Sequence, residues 1–255
     1  VLPDPGTIQL DTDVYGNSTA SFNLSQAHSY CDIIATSLVE TQDTLSPLPQ
    51  TLAAQENIRK LNTLHTDDAL MAQDCLLPSP FIPLTDTLER FIEELPLKTQ
   101  TVGEYASQLM SHIFNTFDYT SGFSNVVTPL SRIYEARKGV CQDFAHLAIG
   151  ALRLQSIPTR YVSGYLETLP PPGKEKLQGA DASHAWFSVF DCQCGWIDFD
   201  PTNNKRPDSQ YITTAWGRDY GDVTPIKGIV YGGGEHALDV EVDVLRMSEA
   251  TMELA

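Results

Sequence analysis

A chain of 255 residues, 42% hydrophobic and 19% charged, can bury a full core and has the composition of an ordinary globular protein. Its formal net charge of −17 argues against nucleic acid and against an anionic membrane as partners, since both attract basic surface. No apolar run reaches the ~20 residues of a membrane span. Five scattered cysteines (Cys31, Cys75, Cys141, Cys192 and Cys194) do not form a disulfide framework, which points to a reducing, cytoplasmic compartment.

The chain opens on Val1-Leu2-Pro3-Asp4 with no secretory signal and no initiator Met, so it is expected to start inside a longer protein. Residues 1–45 read as a β region, itself incomplete. Tyr15-Gly16-Asn17 is a turn signal, Ala20, Phe22 and Leu24 alternate with polar neighbours, and Cys31 to Val39 is a second β-like run. Residues 46–100 read as a helical and linker segment, with a helix near 52–62 and another carrying Leu84, Leu88, Phe91, Ile92 and Leu95.

Residues 101–255 read as the main core. Thr101-Val102-Gly103-Glu104 is a capping box, and an apolar stripe runs from Val102 to Phe117. Thr128-Pro129 starts a short helix through Arg137, with Pro at its first position. From Cys141 to about Ser156 the chain is apolar nearly all round, which predicts a central buried helix. Beyond Pro158 the pattern is β: Arg160 to Leu166, Ser183 to Phe190 and Trp196 to Asp200, the last two as a hairpin around Gln193. Tyr211 to Ala215, Ile226 to Val230 and Ala237 to Leu245 are further expected strands. The loop between Glu167 and Ala182 contains Pro170-Pro171-Pro172-Gly173 and runs straight into His184.

Cys141 carries the first chemical signal. At a helix N-terminus the free backbone N–H groups and the macrodipole favour a thiolate, and Gly139 would let a substrate backbone approach the sulfur. Thiol catalysis also needs a His to move a proton and a third group to orient that His. Of the six histidines, His28, His65, His112 and His236 stand apart from other catalytic residue types, and His146 lies five residues along the Cys141 helix on another face.

His184 begins a strand beside one that bears acids. With the hairpin centred near Gln193, Phe190 pairs with Trp196 and Ser188 with Asp198, which puts His184 diagonal to Asp200 on one face. Asp198 shares that face but falls too far along it. Asp200 is therefore the orienting acid, provided the register does not slip by one. Cys192-Gln193-Cys194 offers two thiols, too few for a zinc site, and reads as a hairpin tip.

Four segments together resemble a known family: Gly139-Val140-Cys141-Gln142-Asp143-Phe144-Ala145-His146, Ile157-Pro158-Thr159-Arg160-Tyr161-Val162-Ser163-Gly164-Tyr165, Ser183-His184-Ala185-Trp186, and Gly195-Trp196-Ile197-Asp198-Phe199-Asp200-Pro201-Thr202-Asn203. In order and spacing they are similar to the bacterial transglutaminase-like cysteine-protease family, from about Phe117 to Val244, with weaker similarity over Asp13 to Glu40. The resemblance implies an α+β, papain-like transglutaminase core, in which a thiol opens a central helix packed on an antiparallel sheet. Position by position it implies Cys141 as nucleophile, His184 as base and Asp200 as orienting acid. Papain-like enzymes carry a Gln six residues before the thiol, where this chain has Glu135. The second oxyanion donor therefore stays open, with Gln142 and Tyr165 as candidates.

The expected activity is amide-bond hydrolysis of a peptide or protein through a thioester. Acyl transfer to an amine (a transglutaminase) and a non-catalytic binding module on the same fold are the alternatives. No calcium-loop pattern is present, so no metal or other cofactor is expected. Oligomeric state is not legible.

Overall fold

The computed structural model describes residues 1–41, 47–98, 100–168, 182–232, 235 and 237–247. The elements run β1 (Ile8–Thr12), β2 (Ser18–Phe22), α1 (Ala54–Leu61), α2 (Asp67–Asp74), α3 (Asp86–Glu94), α4 (Val102–Thr116) and β3 (Asp118–Tyr119). There follow α5 (Leu130–Ala136), β4 (Lys138–Gly139), α6 (Cys141–Leu154), β5 (Thr159–Leu166), β6 (Ala182–Asp191), β7 (Gly195–Phe199) and β8 (Tyr211–Gly217). The main sheet has the order β7-β6-β5-β8 with every neighbour antiparallel. The fold is α+β, a central helix on an antiparallel sheet.

α6 is that central helix. Phe144, Leu147, Ala148, Ile149, Ala151 and Leu152 are buried between Ala185, Phe187 and Val189 of the sheet and residues of α3 and α4 such as Leu88, Phe91, Leu109 and Ile113. Alternation along β6 turns Ala185, Phe187 and Val189 toward this core. Trp186, on the opposite face, packs instead with Val162 and Tyr211.

α4 keeps its capping box, with the Glu104 N–H donating to Thr101 Oγ1 and the Thr101 N–H to Glu104 Oε2. Such a cap is worth about 1 kcal/mol, whereas each fully buried Leu or Ile contributes about 1.5–3 kcal/mol. The apolar face with Leu109 and Ile113 therefore anchors α4, and the cap trims its start.

Several sequence expectations are corrected. Cys31 to Val39 forms no strand: Asp32 bridges only to Leu2, and Ile34 and Leu38 are exposed. Ile226 to Val230, and the described residues of Ala237 to Leu245, likewise carry no strand, with Ile229, Val230 and Leu238 exposed. Alternation makes a strand possible, but a strand forms only where an edge accepts its hydrogen bonds and a core covers one face. Pro129 is the N-cap of α5 rather than its first helical residue. α2 was not anticipated, because Asp-Asp-Ala-Leu-Met-Ala-Gln-Asp has almost no amphipathic stripe. Pro170–Gly173 lies outside the described residues. No helix among the described residues is long and apolar enough to cross a membrane.

Candidate active site

Cys141 is the first residue of α6, as its sequence setting predicts, and is half-buried. What precedes it is held by the helix itself. The Val140 N–H donates to Asp143 Oδ2 at 2.8 Å, and Ser124 Oγ donates to the same oxygen. Burial pushes the Asp143 carboxyl up, while these two hydrogen bonds pull it down. The Val140–Asp143 bond closes the turn that presents the thiol at the helix start.

Gly139 has a different role from the one expected. A Cβ there would stand 2.9 Å from Asp143 Cβ and 3.1 Å from Phe144 Cε1. The missing side chain lets β4 lie against the first turn of α6, and no room is left at that point for a substrate.

His184 lies near the start of β6. Its Nε2 donates to Asp200 Oδ2 at 2.8 Å, in a pair that is 9% and 0% exposed. The Nδ1 edge is thereby left for the thiol. Burial alone would lower the imidazole pKa, but its hydrogen bond to Asp200 and the neighbouring charges of Asp200 and Cys141 raise it to about 9. The three residues picked from the sequence thus meet at one place, with the imidazole between thiol and carboxylate.

The hairpin register explains the choice of acid. Phe190 pairs with Trp196 and Ser188 with Asp198, as the turn around Gln193 predicts. After Phe199 the chain leaves the β6 ladder, and Asp200 bridges to Lys205 instead. Asp198 stays on the ladder, where its charge acts on Arg160 rather than on His184. Opposite His184 on β5 stands Gly164, where a Cβ would come 2.2 Å from the Ile212 carbonyl oxygen and 2.5 Å from the Trp186 ring. Any larger residue there would displace the Trp186 indole, which lies 6.1 Å from the His184 ring.

Asp200 is fixed by more than His184. Tyr211 OH donates to its Oδ2 at 2.6 Å and Asn203 Nδ2 at 2.7 Å, while its Oδ1 takes the Thr202 N–H at 2.8 Å and the Asn203 N–H at 3.3 Å. Burial works to raise the carboxyl pKa, but His184, Tyr211 and Asn203 together hold it below the ordinary carboxylate value. An ionised acceptor with this many donors cannot rotate, so it orients the imidazole.

Sequence reasoning missed Tyr211 and Asn203. Asn203 had a local signal in Asp-Pro-Thr-Asn, where Asx-type turns return side chains toward the first Asp. Tyr211 had none. Of the residues considered for the oxyanion, Glu135 is exposed on α5, and Gln142 and Tyr165 are half-buried. His146 is buried in mid-α6 and accepts the Tyr220 N–H, well apart in role from the thiol. Among the described residues, no group of three or more His, Cys, Asp or Glu could hold a metal.

Comparison with known proteins gives a family likeness. The model of the transglutaminase-like superfamily fits residues 89–201. An uncharacterized protein of Mycobacterium tuberculosis is 36% identical over 254 residues, covering 95% of this chain and 79% of its own. A protein-glutamine gamma-glutamyltransferase of Pseudomonas aeruginosa is 32% identical over 77 residues, which is 30% of this chain and 12% of that protein. Among solved structures, one from Cytophaga hutchinsonii described as a candidate cysteine protease superposes with a TM-score of 0.54 at 28% identity. It covers 68% of this chain, and this chain spans 55% of its length.

Proposed function

The chain belongs to the transglutaminase-like superfamily, and from that premise we propose that it is a cysteine-dependent amide-bond hydrolase acting on a peptide or protein. The observation that carries the reading is His184, held by Asp200 at 2.8 Å on one side and raised in pKa by the neighbouring Cys141 on the other. In this reading the Cys141 thiolate attacks an amide carbonyl, and the tetrahedral intermediate collapses as His184 gives its proton to the departing amine. Water, deprotonated by His184, then releases the acid from the thioester. The reading includes a cytoplasmic, reducing setting, in which the nucleophile stays a thiol.

The 77-residue likeness to a protein-glutamine gamma-glutamyltransferase favours a second reading, in which an amine replaces that water. The first half of the reaction is the same, so products decide. A Gln-containing peptide incubated with a primary amine is expected to yield free acid or cleaved peptide. A cross-linked amide as the main product moves the assignment to acyl transfer.

Thiol labelling tests the shared premise. Iodoacetamide at neutral pH is expected to modify Cys141 well before Cys75, which is 1% exposed and whose pKa burial pushes up to about 11. Equal labelling rates, with function intact in Cys141→Ala, would mean a non-catalytic binding module.

A further inference from the structure

One group beside the thiol has no part in the chemistry so far. β3 and β4 are two-residue strands that pair in parallel, with Tyr119 opposite Gly139, and the Thr120 N–H donates to the Gly139 carbonyl at 2.9 Å. The ladder sets Tyr119 beside the segment that ends, two residues later, in Cys141. Its ring packs edge-on against Phe144 with centroids 6.5 Å apart. Phe144 is three positions after Cys141, so the two share one face of α6. With its ring seated one turn below the nucleophile, Tyr119 still keeps 57% of its surface exposed. It is therefore open to solvent beside the start of α6 and no part of the buried core.

We propose that the Tyr119 hydroxyl is the second donor to the oxyanion, the first being the backbone N–H of Cys141, which as the first residue of α6 has no partner within the helix. The proposal rests on Cys141 being the nucleophile. When the thiolate sulfur bonds to the carbonyl carbon, the C=O π pair moves onto oxygen. That oxygen accepts hydrogen bonds from the Cys141 N–H and the Tyr119 O–H, and no proton is transferred. As the C–N bond breaks, the pair returns to re-form the carbonyl of the thioester, and His184 protonates the amine. Tyr119 suits this task because its hydroxyl keeps its proton. Burial and, second, the nearby Cys141 charge both raise its pKa, so at neutral pH it is a donor.

This assignment accounts for Glu135. With a phenol supplying the second donor from β3, the position six residues before the thiol need not carry an amide, and the structure leaves Glu135 exposed on α5.

Two reactions of the same thiol test the proposal. Acylation by p-nitrophenyl acetate passes through an oxyanion and releases p-nitrophenolate, whereas alkylation by iodoacetamide is a displacement at carbon that forms none. In Tyr119→Phe the Cys141-dependent burst of p-nitrophenolate is expected to slow about 10²-fold, with the alkylation rate of Cys141 unchanged. An unaltered burst overturns the proposal. So does an equal fall in both rates, which would mark Tyr119 as structural support. Absence of any Cys141-dependent burst in the unaltered protein would instead remove the nucleophile on which the proposal stands.

Discussion

Two buried histidines, 38 positions apart in the sequence, lie at opposite extremes of protonation. His184, 9% exposed at the start of β6, is raised to about 9, whereas His146, 3% exposed in mid-α6, is lowered to about 4. Burial pushes both down. At His146 nothing reverses it: Asp219 raises the pKa somewhat, Arg153 lowers it, and the Tyr220 N–H donates to Nε2 at 3.2 Å, which suits only a neutral ring. The ring also stacks on Phe81, with centroids 6.1 Å apart. At His184 a fully buried carboxylate and a thiol reverse the effect of burial. What separates the two rings is the acid behind His184, with burial common to both.

The strongest way to break the contrast is to remove that acid. Asp200→Ala is expected to cost about 10⁴-fold in Cys141-dependent turnover and to drop the His184 pKa from about 9, read by NMR titration of the ring. If His184 still titrated near 9, the carboxylate would not be the cause. The variant also leaves Tyr211 and Asn203 without their acceptor, so circular dichroism should confirm that it folds.

The two histidines should also shape opposite limbs of the stability profile. His184 has a folded pKa above its unfolded value of 6.5. Its contribution is full below 6.5 and is lost as pH rises through about 9. His146 has a folded pKa below 6.5. Its contribution is present above 6.5 and is lost as pH falls through about 4. Melting temperature should therefore decline at both ends. His146→Gln, which can still accept from the Tyr220 N–H, should flatten the acid limb between 6.5 and 4 and leave the alkaline limb alone. An unchanged acid limb would place acid sensitivity elsewhere.

The smallest expected effect lies far from both rings. Thr101→Ala removes one half of the α4 capping box and should cost about 1 kcal/mol in urea unfolding. The burst of p-nitrophenolate should be unaltered. A large loss of activity would mean that α4 sets the site more directly than its packing implies.

Much of the site was legible from residues near one another in sequence. The hairpin around Gln193 keeps Phe190 against Trp196 and Ser188 against Asp198, a register that holds Asp198 on the ladder away from His184 and brings the chain to Asp200 beside it. Cys141 at a helix start followed from an apolar run bounded by Gly139 and Pro158. Tyr211 was not legible, because its partner Asp200 lies eleven positions back on another element and nothing in Tyr-Ile-Thr-Thr points to it. Gly139 was legible as a special position but was given the wrong reason, since only the packed helix shows Asp143 and Phe144 filling the space beside it.

What the sequence determined by itself was local and periodic: the helical stripes, the turn residues, the pairing of one short hairpin and the order of the motifs. Tertiary structure alone decided which potential strands would exist, since Ile226 to Val230 and Ala237 to Leu245 read as strands in the sequence yet pair with no strand among the described residues. It also decided which hydroxyls face the chemistry. Tyr211 reaches Asp200, and Tyr119 comes opposite Gly139, two residues before Cys141, because segments from distant parts of the chain were laid beside them. Periodicity is a property of a segment, whereas hydrogen bonds and oriented charge depend on a neighbour that the segment does not contain.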